Sequence, residues 1–264
     1  LELRERQSVN FIEAEKAYEL SALIYADSFF YGLFDYGSKL VKSSDISSDE
    51  LKTKGLLGTS KATVRKSKFG ILNQLFTLIP KAEYDHHNIA DFVKAACKID
   101  DPSAYIYRSD YIPHYGLRVC YAIAKDKVSL INEVYESPSL LHYVTALIAS
   151  TETGEDGLYV HVIDDKILIA AKVDDRLQNA NCYTYDTDET AVYYTGLNYQ
   201  ETKLSSNNSP ILLSGDIKAD SGFSTIMNKY FAQAKLVTPP ISIDGSPLSN
   251  AHQIDPLYAI SICG

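Results

Sequence analysis

At 264 residues with 45% hydrophobic side chains, the chain can bury a large core as one compact unit or as two coupled lobes. A net charge of −9 argues against general affinity for nucleic acid or anionic lipid, and no apolar run approaches the ~18–20 residues of a membrane helix. The four cysteines (Cys97, Cys120, Cys182, Cys263) show no C-x-x-C spacing, which fits buried thiols in a reducing compartment better than disulfides or zinc. With no secretory leader visible, the expected compartment is cytoplasmic.

Leu1–Asn10 is charged and expected to fray. Tyr18, Leu20, Ala22 and Ile24 alternate along a first strand, Asp27-Ser28 turns, Phe29–Phe34 returns, and a third strand lies near Leu40-Val41. Ser47 followed by Glu50 is a capping box that opens a short helix, which Gly55 and Gly58 end. Ile71–Ile79 reads as one apolar strand stopped by Pro80, and Asp85 caps a helix carrying Ile89, Phe92, Val93 and Ala96 on one side. Leu117, Val119, Tyr121 and Ile123 alternate as a further strand. Ser137-Pro138 places proline at the first position of a helix through Leu140, Val144, Leu147 and Ile148, which links the two halves.

The second half repeats the opening. Leu158–Ile163 and Ile167–Val173 form a hairpin on Asp164-Asp165, and a third strand follows near Leu177–Tyr185. Asp186 stands three residues before Glu189, a second capping-box spacing, and Val192, Tyr193, Leu197 and Tyr199 give that helix an apolar side. The polar run 205–210 breaks the pattern, and Ile211-Leu212-Leu213 is a short buried strand ending at Ser214-Gly215-Asp216. Phe223, Ile226, Met227, Tyr230 and Phe231 then fall at helical spacing.

A duplicated unit of three antiparallel strands, helix, strand, helix is the plan of the actin-like ATPase fold, an α/β architecture of two ribonuclease-H-like lobes. The stretches Tyr18-Glu19-Leu20-Ser21 leading to Phe29-Phe30-Tyr31, Leu75-Phe76-Thr77-Leu78-Ile79-Pro80, Asn181-Cys182-Tyr183-Thr184-Tyr185 with Tyr193-Tyr194, and Gly215 to Tyr230 resemble an uncharacterised Bacteroidota family assigned that fold. The ending Asp255-Pro256-Leu257-Tyr258-Ala259-Ile260 is similar to the last helix of actin-like pilus-assembly and secretion proteins. The resemblance implies a first lobe over 1–150 and a second over 151–264.

Nucleotide-hydrolysing proteins of this fold carry an Asp-x-Gly hairpin in each lobe, where glycines admit phosphates to backbone N–H groups, and a Gly-Gly pair against the adenosine. Here the first hairpin is Leu23-Ile24-Tyr25-Ala26-Asp27-Ser28 and the second Ile163-Asp164-Asp165-Lys166, both without glycine, while Ser214-Gly215-Asp216 stands in place of Gly-Gly. Asp27, Asp164, Ser214, Gly215 and Asp216 are thus vestigial nucleotide-site positions, and no cofactor is expected. Asp100-Asp101, Asp164-Asp165 and Asp174-Asp175 sit where Asp favours turns, so no metal is expected there. His86-His87 follows the cap Asp85, and adjacent helical residues point about 100° apart, which disfavours a shared ion. His142 and His161 lie in apolar surroundings as packed, hydrogen-bonded histidines, and no G-x-S-x-G elbow supports acyl transfer.

Between Leu51 and Lys68 stand Lys52, Lys54, Lys61, Arg65, Lys66 and Lys68 with no acid among them. The structural explanation is a strand edge protected by lysines. The functional one is a docking patch, centred on Lys61, Arg65, Lys66 and Lys68, for an acidic protein partner or RNA, although no aromatics interleave for base stacking. The expectation is a non-catalytic binding or scaffold protein with a degenerate nucleotide site and an unidentified protein partner. The alternatives are an ATPase or kinase of the actin, heat-shock and sugar-kinase type with an unorthodox site, and an RNA-associated accessory protein.

Overall fold

A two-residue turn and an apolar interior set the first hairpin. Strand β1 (Ala17–Tyr25) is almost wholly buried and returns through Ala26-Asp27 into β2 (Ser28–Phe34), with Tyr25 opposite Ser28; β2 pairs in turn with β3 (Leu40–Ser47). The capping box forms: Ser47 Oγ accepts from the Glu50 N–H and Glu50 Oε2 from the Ser47 N–H, both at 3.2 Å, opening α1 (Ser48–Lys54). Strand β4 (Thr63–Ile71) lies parallel to β1. This computed structural model describes residues 17–35, 39–54, 63–204, 209–218, 220–243, 246–247 and 250–263; the expectations for residues 1–10 and for the helix stop at Gly55 and Gly58 fall outside them.

After β4 the chain leaves the first sheet, so the single strand expected over 71–79 is two strands in different sheets. The Asn73 side chain makes the break: its Oδ1 accepts from the Leu75 N–H at 2.8 Å and its Nδ2 donates to the Ala122 carbonyl at 2.9 Å. Strand β5 (Phe76–Pro80), helix α2 (Ile89–Ala96), β6 (Tyr105–Ile112) and β7 (Leu117–Ala124) then build a separate three-stranded antiparallel sheet in the order β5-β7-β6. Helix α3 (Lys125–Val134) leads back to β8 (Ser139–His142), parallel to β4, which completes the first sheet as β3-β2-β1-β4-β8.

The helix expected from Pro138 therefore begins later. Residues 139–142 satisfy the open edge of β4 at Lys68–Ile71, and α4 (Tyr143–Thr151) starts after them, capped by His142, whose Nδ1 accepts from the Val144 N–H. Strands β9 (Gly157–Ile163), β10 (Lys166–Val173) and β11 (Arg176–Thr184), helix α5 (Asp188–Glu201), β12 (Ile211–Gly215), α6 (Gly222–Tyr230), β13 (Ala234–Leu236) and α7 (Ala251–Ile262) follow. Their sheet runs β11-β10-β9-β12-β13, the same third-second-first-fourth-fifth order as the first. Each of these sheets thus holds one strand more than the repeated unit read from sequence. Helix α5 is capped by Thr187, which accepts from the Thr190 N–H, while Asp186 takes the Thr190 hydroxyl instead. Tyr230, expected on the apolar side of α6, is 64% exposed.

Helices α4 and α7 lie between the two sheets. One apolar cluster joins the first sheet, Tyr143, Val144 and Leu147 of α4, Leu257 and Ile260 of α7, and Leu168 and Ala170 of the second sheet; a second fills the far face of the second sheet under α5 and α6. Close approach of α7 needs Gly70, where an added Cβ would come within 2.7 Å of the Ile260 side chain. Each helix ends on a lysine from the opposite sheet. Lys172 of β10 donates to the Thr151, Glu152 and Gly154 carbonyls at the end of α4 (3.0, 3.2 and 2.9 Å), and Lys68 of β4 donates to the Ser261 and Cys263 carbonyls at the end of α7 (2.8 and 2.6 Å).

Lys172 is 4% exposed, so replacing it by methionine takes the ammonium donor from three carbonyls, the Thr151 one buried and the other two part-buried. Lys172→Met is expected to lower the unfolding free energy by about 2–3 kcal/mol, with Lys68→Met, half-buried, costing less. Urea denaturation of the two variants checks the order, and an unchanged midpoint for Lys172→Met would contradict it.

Candidate functional site

Both hairpin tips are tied down by the protein's own side chains. At the β1–β2 tip Ala26 holds the left-handed conformation (φ 45°), and the Asp27 carbonyl accepts from the Ser48 N–H and hydroxyl at 3.0 and 3.2 Å. The Asp27 carboxylate receives Lys127 Nζ of α3 at 2.7 Å, a bond and charge that hold its pKa below the usual carboxylate value. Asp27, Asp49, Lys52, Asp126 and Lys127 line a cavity of about 340 Å³ beside this tip. Three carboxylates against two ammonium groups make it unsuited to a polyanion.

At the β9–β10 tip Asp164 is also left-handed (φ 54°). Its N–H donates to Asp216 Oδ2 at 3.0 Å, and its carbonyl accepts from the Tyr185 hydroxyl at 2.8 Å. Asp216 is brought there by the turn after β12. Gly215 (φ 91°) passes so close to β9 that an added Cβ would stand 2.0 Å from the Val162 carbonyl oxygen, which then accepts from the Asp216 N–H at 2.6 Å. Ser214 faces the other way, fully buried toward α7. The structure thus brings Asp164, Gly215 and Asp216 together, whereas Asp27 is bound to α1 and α3 and Ser214 turns into the core.

The remaining acidic pairs serve turns. Asp101 accepts from the Ser103 N–H and hydroxyl, Asp174 and Asp175 form the β10–β11 tip with both residues left-handed, and Asp175 meets Lys172 at 2.9 Å. Asp85, His86 and His87 depart from expectation: the segment His86–Asn88 is a single 3₁₀ turn, the imidazole centroids come to 3.7 Å, and the three ligating atoms fall within 4.8 Å of one another. All three residues are exposed.

The cationic run is described only in part. Lys61 lies outside the described residues, Arg65 and Lys66 are exposed on the first half of β4 with Lys66 3.5 Å from Glu19, and Lys68 is taken up by α7. From Lys68 onward β4 is an internal strand, so the edge explanation applies only before it.

His142 and His161 are both buried and bonded. With the His161 proton assigned to Nε2, facing Asp255 Oδ2 of α7 at 3.4 Å, Nδ1 accepts from the Tyr143 hydroxyl of α4 at 2.5 Å. The array Tyr143–His161–Asp255 therefore joins both crossing helices to β9, and Tyr143 at 0% exposure is closed to any substrate. His142 shares its surroundings with Asp110, which accepts from the His142 N–H, the Thr145 hydroxyl and the Tyr121 hydroxyl. Asp255 and Tyr143 carry no sequence signal of this role, since a lone acid or tyrosine in an apolar helix has no spacing rule to announce it.

A family model described as "Protein of unknown function (DUF3822)" matches residues 7–234. No curated protein sequence matches the chain. Among solved structures, a Bacteroides thetaiotaomicron protein with an actin-like ATPase fold and unknown function superimposes with a TM-score of 0.75 at 16% identity, over 97% of this chain and 100% of that one. A chain of the PilM–PilN type IV pilus biogenesis complex gives 0.55 at 13% identity (92% and 96%). The cytoplasmic domain of EpsL, an inner-membrane component of the Vibrio cholerae type II secretion system, gives 0.50 at 9% (94% and 95%). At these identities the likeness establishes the fold, which is the actin-like ATPase fold.

Burial pushes His161 and His142 down from 6.5 to about 3, and pushes Asp255 and Asp110 up from 3.8 to about 6. The histidines contribute stability that is present above pH 6.5 and lost as pH falls toward 3. The carboxyls contribute stability that is present below 3.8 and lost as pH rises through 6, so the two kinds offset each other in between. Asp255→Asn removes one carboxyl contribution and leaves His161 uncompensated. Its stability deficit against the native protein is expected to widen by about 1.4 kcal/mol per unit as pH falls from about 6 to 4. Urea unfolding at several pH values measures this, and a deficit constant across the window would contradict the assignment.

Proposed function

The chain belongs to the DUF3822 family of proteins of unknown function, and from that premise we propose that it is a non-catalytic, actin-like binding or scaffold module whose nucleotide site is filled by its own side chains. The observation that carries this reading is the bond from the Asp164 N–H to Asp216 Oδ2. In the nucleotide-binding arrangement the resemblance implies, backbone donors of this hairpin face phosphate. Here a carboxylate takes the donor and adds negative charge where a polyanion would have to approach. At the first hairpin Lys127, the nearest fixed cation, is already committed to Asp27.

The two sheets correspond in this reading to a first lobe over 1–150 and a second over 151–264, with α7 returning to pack on the first. Fixed lobes suit a protein that presents surfaces, and the PilM–PilN complex and EpsL show that proteins of this fold occur within assemblies. No helix among the described residues is long and apolar enough to cross a membrane.

A ligand at ten times its Kd adds about 1.4 kcal/mol to stability, which moves the melting temperature of a chain this size by roughly 3–6 °C. The expected outcome with about 5 mM ATP and Mg²⁺ is no resolvable shift. A saturable rise in melting temperature that disappears in Asp164→Ala would sink the proposal and restore the ATPase alternative.

A further inference from the structure

The inserted sheet carries an arginine that pairs with no carboxylate among the described residues. Arg118 lies in the middle strand β7, opposite Ile79 of β5 and Tyr111 of β6. Strand alternation puts it on the same face as Cys120 and Ala122, which α2 covers through Val93; Arg118 stands where that cover ends. Its guanidinium carbon sits 4.5 Å from the Tyr84 ring centroid and 5.0 Å from that of Tyr111. The Tyr84 hydroxyl is fixed against Ser109 Oγ at 2.7 Å, and Arg118 Nη1 donates to the same Ser109 oxygen at 3.3 Å.

Stacking engages the faces of a guanidinium and leaves its in-plane N–H edge free to form paired bonds. One of the five donors goes to Ser109. Among the described residues no carboxylate pairs with Arg118 or with Lys81, whose Nζ lies 5.3 Å from the Tyr111 centroid, in a chain where acids outnumber bases 34 to 25. Tyr111 is 38% exposed, so the group stands at the surface.

We infer that the Tyr84–Arg118–Tyr111 stack with Lys81 is a docking site for an acidic peptide segment of a protein partner, read through a side-chain carboxylate. Charge complementarity selects this occupant: two fixed cations without internal acids face outward from a molecule of net charge −9. Single-stranded nucleic acid is disfavoured, because the aromatic faces on which bases would stack already carry Arg118 and Lys81. The inference rests on the binding-module reading and names the chemistry of the partner.

The test follows the Arg118 Nε–Hε resonance of the ¹⁵N-labelled full chain while a tetraglutamate peptide is added. A saturable shift is expected, weakening several-fold as ionic strength rises from about 0.05 to 0.5 M. Arg118→Lys, which keeps the charge and loses the fork, is expected to bind about tenfold more weakly by backbone amide shifts. Tyr111→Leu provides a second variant should the first unfold, and is expected to weaken binding as well. An unmoved resonance, equal binding by the folded variants, or a larger response to inorganic phosphate or a short oligouridylate would overturn the inference. None of these outcomes touches the hairpins, so failure here is separable from failure of the nucleotide argument.

Discussion

Everything in this structure depends on two helices that each belong to one sheet by sequence and end on the other by charge. A helix terminus leaves up to four carbonyls without an intrahelical partner. Lys172 and Lys68 supply ammonium donors to those carbonyls from opposite sheets, so neither helix can shift along its axis without stripping a charged bond. Midway between, Tyr143 and Asp255 meet on His161. Relative movement of the sheets would break this array and leave buried polar atoms unpaired, a cost of about 1–3 kcal/mol for each.

That constraint bears on what the fold does. Nucleotide-driven members of an actin-like architecture gain from lobes that respond to a ligand between them. In this chain the two five-stranded sheets are joined by bonds internal to their junction, and the hairpin tips are joined to neighbouring loops and helices: Asp27 to Lys127 and Ser48, Asp164 to Asp216 and Tyr185. On the proposed function, the protein keeps the frame while its own carboxylates and ammonium groups occupy the positions from which a ligand would act. Its outward surfaces, including the stacked arginine of the inserted sheet, are then what remains available to a partner.

The fold was legible wherever apolar alternation met a clear turn. The Asp164 hairpin, the Ser47–Glu50 box and the strand ending at Gly215 are where spacing puts them, and the first hairpin turns one residue earlier than expected, at Ala26-Asp27. Two of the misread stretches were decided by long-range pairing. Residues 71–79 are mostly apolar, and the Asn73 turn that splits them depends on the distant Ala122 carbonyl. Leu140 and Leu141 fit a helix equally well until β4 presents an open edge. At the site, missing glycines at the hairpins could be read directly, while Asp216 as the group that fills the second one could not, because its role comes from the Gly215 fold-back onto Val162. The bonds Lys68 makes were hidden for the same reason, since charge in a cationic run gives no hint of a helix end arriving from residue 261.

The central claim comes down to one amide. An N–H at an exposed hairpin tip exchanges with solvent quickly unless a partner holds it, so hydrogen exchange at Asp164, followed residue by residue by NMR, tests the Asp216 bond most directly. The expected result is measurable protection in the native protein, its loss in Asp216→Ala, and no change on adding ATP with Mg²⁺. An unprotected Asp164 amide, or one whose resonance moves saturably with nucleotide, would contradict the view that the protein's own carboxylate fills this site.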